Sequence, residues 1–212
     1  LLAPMLTAAP TPAPIPSLRL NNGVQMPMLS LGTWQYNASV AQQVVTMGLS
    51  EGFTHIDAAW GYFNQAGVGA ALKDVPRSSY FLTTKVSCSQ KVPIPLRLIS
   101  HRSVAHTGNL PRRILLVQVP DCGRLGGCAD HFKNTSDALE ANLEQLGVEY
   151  VDLVLVHWPP ATNAGNTTLD CHAVQEDWRA MEAFHAAGKA RAIGVSNYCP
   201  GALQCLMRTA KV

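Results

Sequence analysis

Asp57, Tyr62, Lys85 and His157 are residue types that together could hand a proton to an oxygen atom on which negative charge is building. A phenol ordinarily titrates near pH ~10 and is a weak acid at neutral pH, so it needs a neighbouring cation to act. Lys85 would supply that cation. Asp57 would hold the lysine through an ion pair, and His157 would donate a hydrogen bond that positions the reacting oxygen. Taken singly, each is unremarkable in type: an Asp or Lys after a strand is more often a helix cap or a solvated loop residue, and a His after an apolar run is more often a satisfied core group. Their weight comes from succession, because they stand at the ends of consecutive apolar segments.

Those segments alternate with stretches of helical periodicity, the pattern of a parallel α/β protein. A hairpin is expected first, Leu18 to Leu20 and Val24 to Met26 around the turn dipeptide Asn22-Gly23. Strands follow at Leu29 to Leu31, Thr54 to Ile56, Tyr80 to Thr84, Val151 to Val156 and Ala192 to Val195. Helices are expected over Val40 to Glu51, Gln65 to Leu72, Ser136 to Leu146, Val174 to Ala187 and Gly201 to Thr209. In the third helix Leu139, Leu143 and Leu146 share one face, and Gly147 stops it. In a parallel barrel the loops after the strands converge on one mouth. Thr33 and Trp34, Asp57, Lys85, His157, and Ser196 with Asn197 would all meet there.

Four ordered motifs give this layout an identity. Gly52-Phe53-Thr54-His55-Ile56-Asp57-Ala58-Ala59, continuing through Tyr62, Asn64, Gln65 and Gly69, resembles the signature around the catalytic Asp and Tyr of the aldo-keto reductase family. Tyr80-Phe81-Leu82-Thr83-Thr84-Lys85 resembles the strand that carries the family's catalytic Lys. Val151 to Pro159 resembles the strand with its catalytic His, and Arg191 to Tyr198 the segment that holds the nicotinamide carboxamide. Thr54 stands where the family usually has Arg, and Ala58 where Thr or Ser is common.

The resemblance implies a (β/α)8 TIM barrel, here truncated to about five β/α units behind an N-terminal hairpin. It implies NADPH/NADP as cofactor and an aldehyde or ketone as substrate, reduced by hydride transfer with Tyr62 as proton donor. Asp57, Tyr62, Lys85 and His157 would be catalytic. Thr33, Asp57, Ser196 and Asn197 would touch the cofactor, while Trp34 and Trp158 would wall the substrate pocket; no metal is expected. A non-catalytic interaction or regulatory protein on the same barrel, or an inactive gene-model fragment, is the alternative.

Two stretches depart from the family. Leu1 to Pro16 is a Pro/Ala-rich tail without charge, read as a linker or the remnant of an organellar or secretory targeting peptide, ahead of a barrel expected over 17–212. After Lys85, residues 87–118 interrupt the family's run: removing Ser87 to Val119, or equally Val86 to Gln118, takes out 33 residues and rejoins Thr83-Thr84-Lys85-Val to Pro120-Asp121-Cys122-Gly123. A translated, unspliced intron is the expectation, with a functional lid as the alternative. The chain is also expected to lack the last three strands of a closed barrel.

Composition narrows the partners. The 47% hydrophobic content with 14% charged residues suits a globular domain with a sizeable core. The interrupting stretch holds Lys91, Arg97, Arg102, Arg112 and Arg113 and no acidic residue, so the small positive net charge belongs to it and the remainder is mildly acidic. Nucleic acid is therefore not an expected partner. No apolar run reaches the ~18 residues of a membrane span. Six scattered cysteines without a CxxC pair suggest reduced thiols in a cytoplasmic protein.

Overall fold

The computed structural model describes residues 14–87, 130–163 and 166–212. The tail up to residue 13, and the interruption from residue 88 onward, lie outside the described residues. The chain begins with an antiparallel hairpin, β1 (Ser17–Arg19) and β2 (Gln25–Pro27), in which Leu18 faces Met26. It then forms a parallel sheet of five strands in the order β3 (Leu31–Gly32), β4 (His55–Asp57), β5 (Phe81–Val86), β6 (Val151–Val156) and β9 (Ala190–Val195). Every pairing between neighbours in this sheet is parallel. Helices α1 (Ala38–Ser50), α2 (Gln65–Leu72), α3 (His131–Leu146), α4 (Cys171–Ala186) and α5 (Pro200–Met207) return the chain or follow the last strand.

Local chemistry sets these boundaries. Asn37, Asp130 and Asp170 cap α1, α3 and α4 by accepting backbone N–H groups of Val40, Lys133 and Ala173 at 2.9–3.0 Å. Gly147 ends α3 in the left-handed conformation at φ 66°, which a residue without Cβ adopts at little cost. β5 is buried along its whole length, as a strand covered on both faces must be. The helices pack Val45, Val68, Leu139, Leu143 and Met181 against Ile56, Leu82 and Val154 of the strands. Each such side chain contributes on the order of 2 kcal/mol by leaving water.

Helix α2 sits unusually close to its neighbours. A Cβ on Gly67 would collide with the carbonyl of Ala38 at the start of α1, and one on Gly69 would lie 2.5 Å from the carbonyl oxygen of Leu146 at the end of α3. The helix is thereby held close between the start of α1 and the end of α3.

Inside β6, Asp152 is 1% exposed. Its carboxylate accepts from Arg77 at 2.6 Å, from Arg191 at 2.7 Å and from the Leu82 N–H at 2.8 Å. Two cations and a backbone donor offset the desolvation of one buried charge. The hairpin covers the same end of the sheet: Asn22 donates to the Arg191 carbonyl, and His55 bonds the Pro27 carbonyl, each at 2.8 Å.

Several expectations shift. The first barrel strand is Leu31–Gly32 rather than Leu29 to Leu31, because its pairing with Ile56 and Asp57 decides where the ladder begins. Helices α3 and α4 start five and three residues earlier than periodicity suggested, at their capping aspartates. A second hairpin, β7 (Ala161–Asn163) with β8 (Asn166–Leu169), was not anticipated from its polar sequence. Cys171 and Cys205 are joined as a disulfide between α4 and α5, which corrects the expectation that the cysteines are all reduced. Cys199 is an exposed free thiol.

Candidate active site

The parallel sheet brings four expected residues to the end where its strands finish. Asp57 is the last residue of β4, Lys85 lies within β5, His157 follows β6, and Tyr62 closes a 3-10 turn (Trp60–Tyr62) beyond β4. β4 and β5 are neighbours, which puts the Asp57 and Lys85 side chains within reach of each other.

The Lys85 ammonium is the hub. It pairs with Asp57 Oδ1, donates to the Ala58 carbonyl at 3.0 Å and donates to the Tyr62 hydroxyl oxygen at 3.1 Å. Those three bonds use all three ammonium protons. Because the Tyr62 oxygen accepts from Lys85, its own proton is available to another acceptor. The Lys85 side chain is 9% exposed and Asp57 30%, so the pair sits at the rim of the core, facing outward.

His157 stands across from Tyr62, with ring centroids 5.8 Å apart and planes at 75°. Burial, followed by the nearby Lys85 cation, lowers its pKa below the ordinary 6.5, against a smaller opposing pull from Asp57. The imidazole is therefore neutral at pH 7 and carries one N–H. Its Nδ1 is buried without a hydrogen-bond partner.

The flanking residues divide into two groups. Thr33 is fully buried, and both its N–H and its hydroxyl bond the Asp57 carbonyl, at 3.0 and 3.1 Å. Ser196 and Asn197 follow β9; the Ser196 N–H donates to Val156, and Asn197 Nδ2 donates to the His157 carbonyl at 2.8 Å and to Ser196 Oγ at 3.0 Å. Trp34 and Trp158 are 64% and 57% exposed, large apolar surfaces left on the same end of the sheet. Trp158 lies beside His157, ring centroids 6.1 Å apart.

Backbone strain clusters here too. Gln35, Phe63 and Asn197 are the non-glycine residues with positive φ among the described residues, at 67°, 55° and 60°. All three lie in turns that follow strands at this end, after β3, β4 and β9. Such conformations cost on the order of 1 kcal/mol each and persist where surrounding contacts hold them.

One residue that matters for this geometry was part of the signature read from sequence but was given no role there. Asn64 occupies the N-cap position of α2, yet its side chain caps nothing. It is fully buried, and its amide donates to the carbonyls of Thr33 and Tyr36 at 2.7 and 2.9 Å.

Residues 28–212 match the aldo/keto reductase family. The chain belongs to that family. It is 30% identical to glycerol 2-dehydrogenase (NADP(+)) of Saccharomyces cerevisiae, over 90% of this chain and 54% of the relative. It is 31% identical to D-galacturonate reductase of Hypocrea jecorina, over 92% of this chain and 56% of that protein. An aldo/keto reductase structure from Brucella melitensis superposes with a TM-score of 0.70 at 28% identity, covering 96% of this chain and 60% of that one. This aldo/keto reductase chain thus spans about half the length of the curated relatives it matches. Its five parallel strands and their helices are part of the family's TIM-barrel-type fold.

Proposed function

We propose that the protein is an NADP-dependent reductase of aldehydes or ketones, working through Tyr62, Lys85, Asp57 and His157. The observation that carries this is the Lys85 ammonium, which donates to Tyr62 while Asp57 and the Ala58 carbonyl hold it. A phenol whose oxygen already accepts from a cation is set to release its proton toward a second oxygen. His157, neutral and half-buried opposite Tyr62, offers a donor for that same oxygen. Negative charge on a carbonyl oxygen would thus meet a proton donor, a hydrogen bond and a nearby cation in one low-dielectric site.

The turn after β9 suits a nicotinamide. Asn197 Nδ2 is committed to His157 and Ser196, which leaves Asn197 Oδ1 and the Ser196 hydroxyl to meet a carboxamide. Thr33 braces the Asp57 backbone from the other side, and Trp34 and Trp158 would flank an apolar substrate group. Bound NADPH would supply the hydride; the chain's part is binding, orientation and proton delivery. No helix among the described residues is long and apolar enough to cross a membrane. A cytoplasmic enzyme acting on small molecules, without nucleic acid or membrane partners, fits this reading.

Full-length protein mixed with NADPH and a panel of aldehydes and ketones tests it by loss of nicotinamide absorbance. Turnover that depends on Tyr62 is expected. A well-folded protein that binds NADPH and turns over no carbonyl compound would favour a non-catalytic role.

A further inference from the structure

The turn that carries Trp34 has no regular structure of its own to hold it. Residues 33–36 join β3 to α1, Gln35 within it sits at φ 67°, and the one backbone bond across it, Tyr36 N–H to the Thr33 carbonyl, is long at 3.4 Å. A left-handed glutamine without support would relax. The support comes from Asn64, whose two amide protons go to the carbonyls on either side of Trp34 and Gln35, at 2.7 and 2.9 Å. Both neighbours are carbonyl oxygens, so the amide must face them with its nitrogen, and its orientation is not ambiguous.

Asn64 is itself fixed. It is fully buried, it lies two residues beyond Tyr62, and its carbonyl receives the N–H groups of Gly67 and Val68 at the start of α2. Its side-chain Oδ1 is buried without a partner, so Nδ2 is the half of the amide that makes bonds. An asparagine at a helix N-cap ordinarily accepts from the first turn; this one spends its side chain on the neighbouring strand's loop instead.

We infer that Asn64 is a positioning residue for substrate choice: it holds the Thr33–Tyr36 turn, and with it the Trp34 indole, at a set offset from Tyr62, so that carbonyl compounds bearing a flat apolar group are selected. This rests on the reductase reading above. Trp34 is 64% exposed, and no hydrogen bond or ring contact fixes its side chain among the described residues, so the backbone turn is what locates it. Both side-chain bonds of Asn64 go to the turn that carries Trp34 and none goes to Lys85, Tyr62 or Asn197, so its influence falls on binding of the substrate's apolar group more than on proton delivery.

The test uses full-length protein, Asn64→Ala, Asn64→Ser, Trp34→Ala and the Asn64→Ala/Trp34→Ala double variant. Amide hydrogen exchange is read at Tyr36, whose N–H bonds the Thr33 carbonyl, with Ile56 and Leu82 as fold controls. KM and kcat are measured with benzaldehyde and with propanal. In Asn64→Ala, exchange in the turn should rise about tenfold while the controls hold, consistent with losing two buried hydrogen bonds. KM for benzaldehyde should rise about five- to tenfold, KM for propanal should change little, and kcat should stay within about twofold. In the Trp34→Ala background, removing Asn64 should add nothing. Asn64→Ser, which can keep one of the two bonds, should fall between and serves if the alanine variant fails its fold controls. Unchanged exchange in the turn would overturn the clamp. A loosened turn with equal effects on both aldehydes would overturn the role in substrate choice and leave the reductase reading standing. Absence of turnover in the parent protein would sink that reading, and the role in substrate choice with it, while exchange still judges the clamp.

Discussion

The ammonium of Lys85 lies 3.1 Å from the hydroxyl oxygen of Tyr62 and donates to it. Three residues on two adjacent strands and one turn are needed for that contact. β4 ends on Asp57, β5 carries Lys85 alongside it, and the 3-10 turn after β4 brings Tyr62 back over the pair. Because the phenol oxygen accepts from Lys85, its own O–H is left to point to another acceptor.

Tyr62→Phe removes the phenol proton and the oxygen that accepts from Lys85, while the ring remains. Carbonyl reduction by full-length protein should fall by about two to four orders of magnitude, the usual contribution of a positioned general acid. NADPH affinity should stay within about twofold, measured by fluorescence titration. Turnover near that of the parent would dismiss Tyr62 as proton donor.

Replacing Lys85 by Met keeps the length of the side chain and deletes its charge and three donors. Asp57, Ala58 and Tyr62 each lose a partner. The reduction rate should fall by on the order of a hundredfold or more, and the loss should not be additive with Tyr62→Phe, because both changes act on one unit. Additive losses in the double variant would show that lysine and tyrosine act separately.

Much of this was legible in the amino-acid order. Val151 to Val156 reads as a strand because its run is apolar apart from Asp152, and the helix expected over Gln65 to Leu72 is α2 residue for residue. Asp57, Tyr62, Lys85 and His157 stood out because each follows or ends an apolar run. The Asn64 clamp was not legible: its partners are backbone carbonyls, which leave no trace in residue type. The Cys171–Cys205 link was also hidden, since it joins two successive β/α units whose helix packing alone brings the thiols together. The start of α3 was missed because an apolar stripe reports a helix's buried face, whereas its first turn is set by Asp130.

Stability should fall on the acid side of neutrality, in part through His55. Burial, the largest influence, lowers its pKa below 6.5, and Lys85 adds to this, while the Pro27 carbonyl, Asp57 and Asp152 oppose. Nδ1 faces the Pro27 carbonyl at 2.8 Å and must donate, so in the neutral ring Nε2 accepts from the Thr83 hydroxyl at 2.8 Å. The folded state prefers the neutral ring. Its contribution is therefore full above the unfolded value near 6.5 and shrinks as pH drops below it. His131, whose pKa is raised chiefly by its hydrogen bond to Asp177, pulls in the opposite direction. Comparing His55→Gln with the parent cancels that effect. Urea midpoints between pH 7.5 and 5 should decline less steeply in the variant, and parallel declines would remove His55 from the account.

The disulfide offers a test on stability alone. It closes a loop of 34 residues between the first residue of α4 and the buried face of α5. In the chain-entropy picture a loop of that size stabilises the folded state by about 3 to 4 kcal/mol, chiefly by restricting the unfolded chain. For a domain of this size each kcal/mol moves the melting temperature by roughly 2 to 4 °C, so reduction should lower Tm by roughly 10 °C. Helix α5 should survive reduction, because Gln175 Nε2 still donates to the Cys205 carbonyl at 3.0 Å and Ala202 and Leu206 remain buried. Cys205→Ser should melt at the lower temperature with or without dithiothreitol. Cys199→Ser should keep the parent's dependence on dithiothreitol, since that thiol is unpaired. Identical melting of the parent protein with and without dithiothreitol would mean that the link contributes nothing to the folded state in solution.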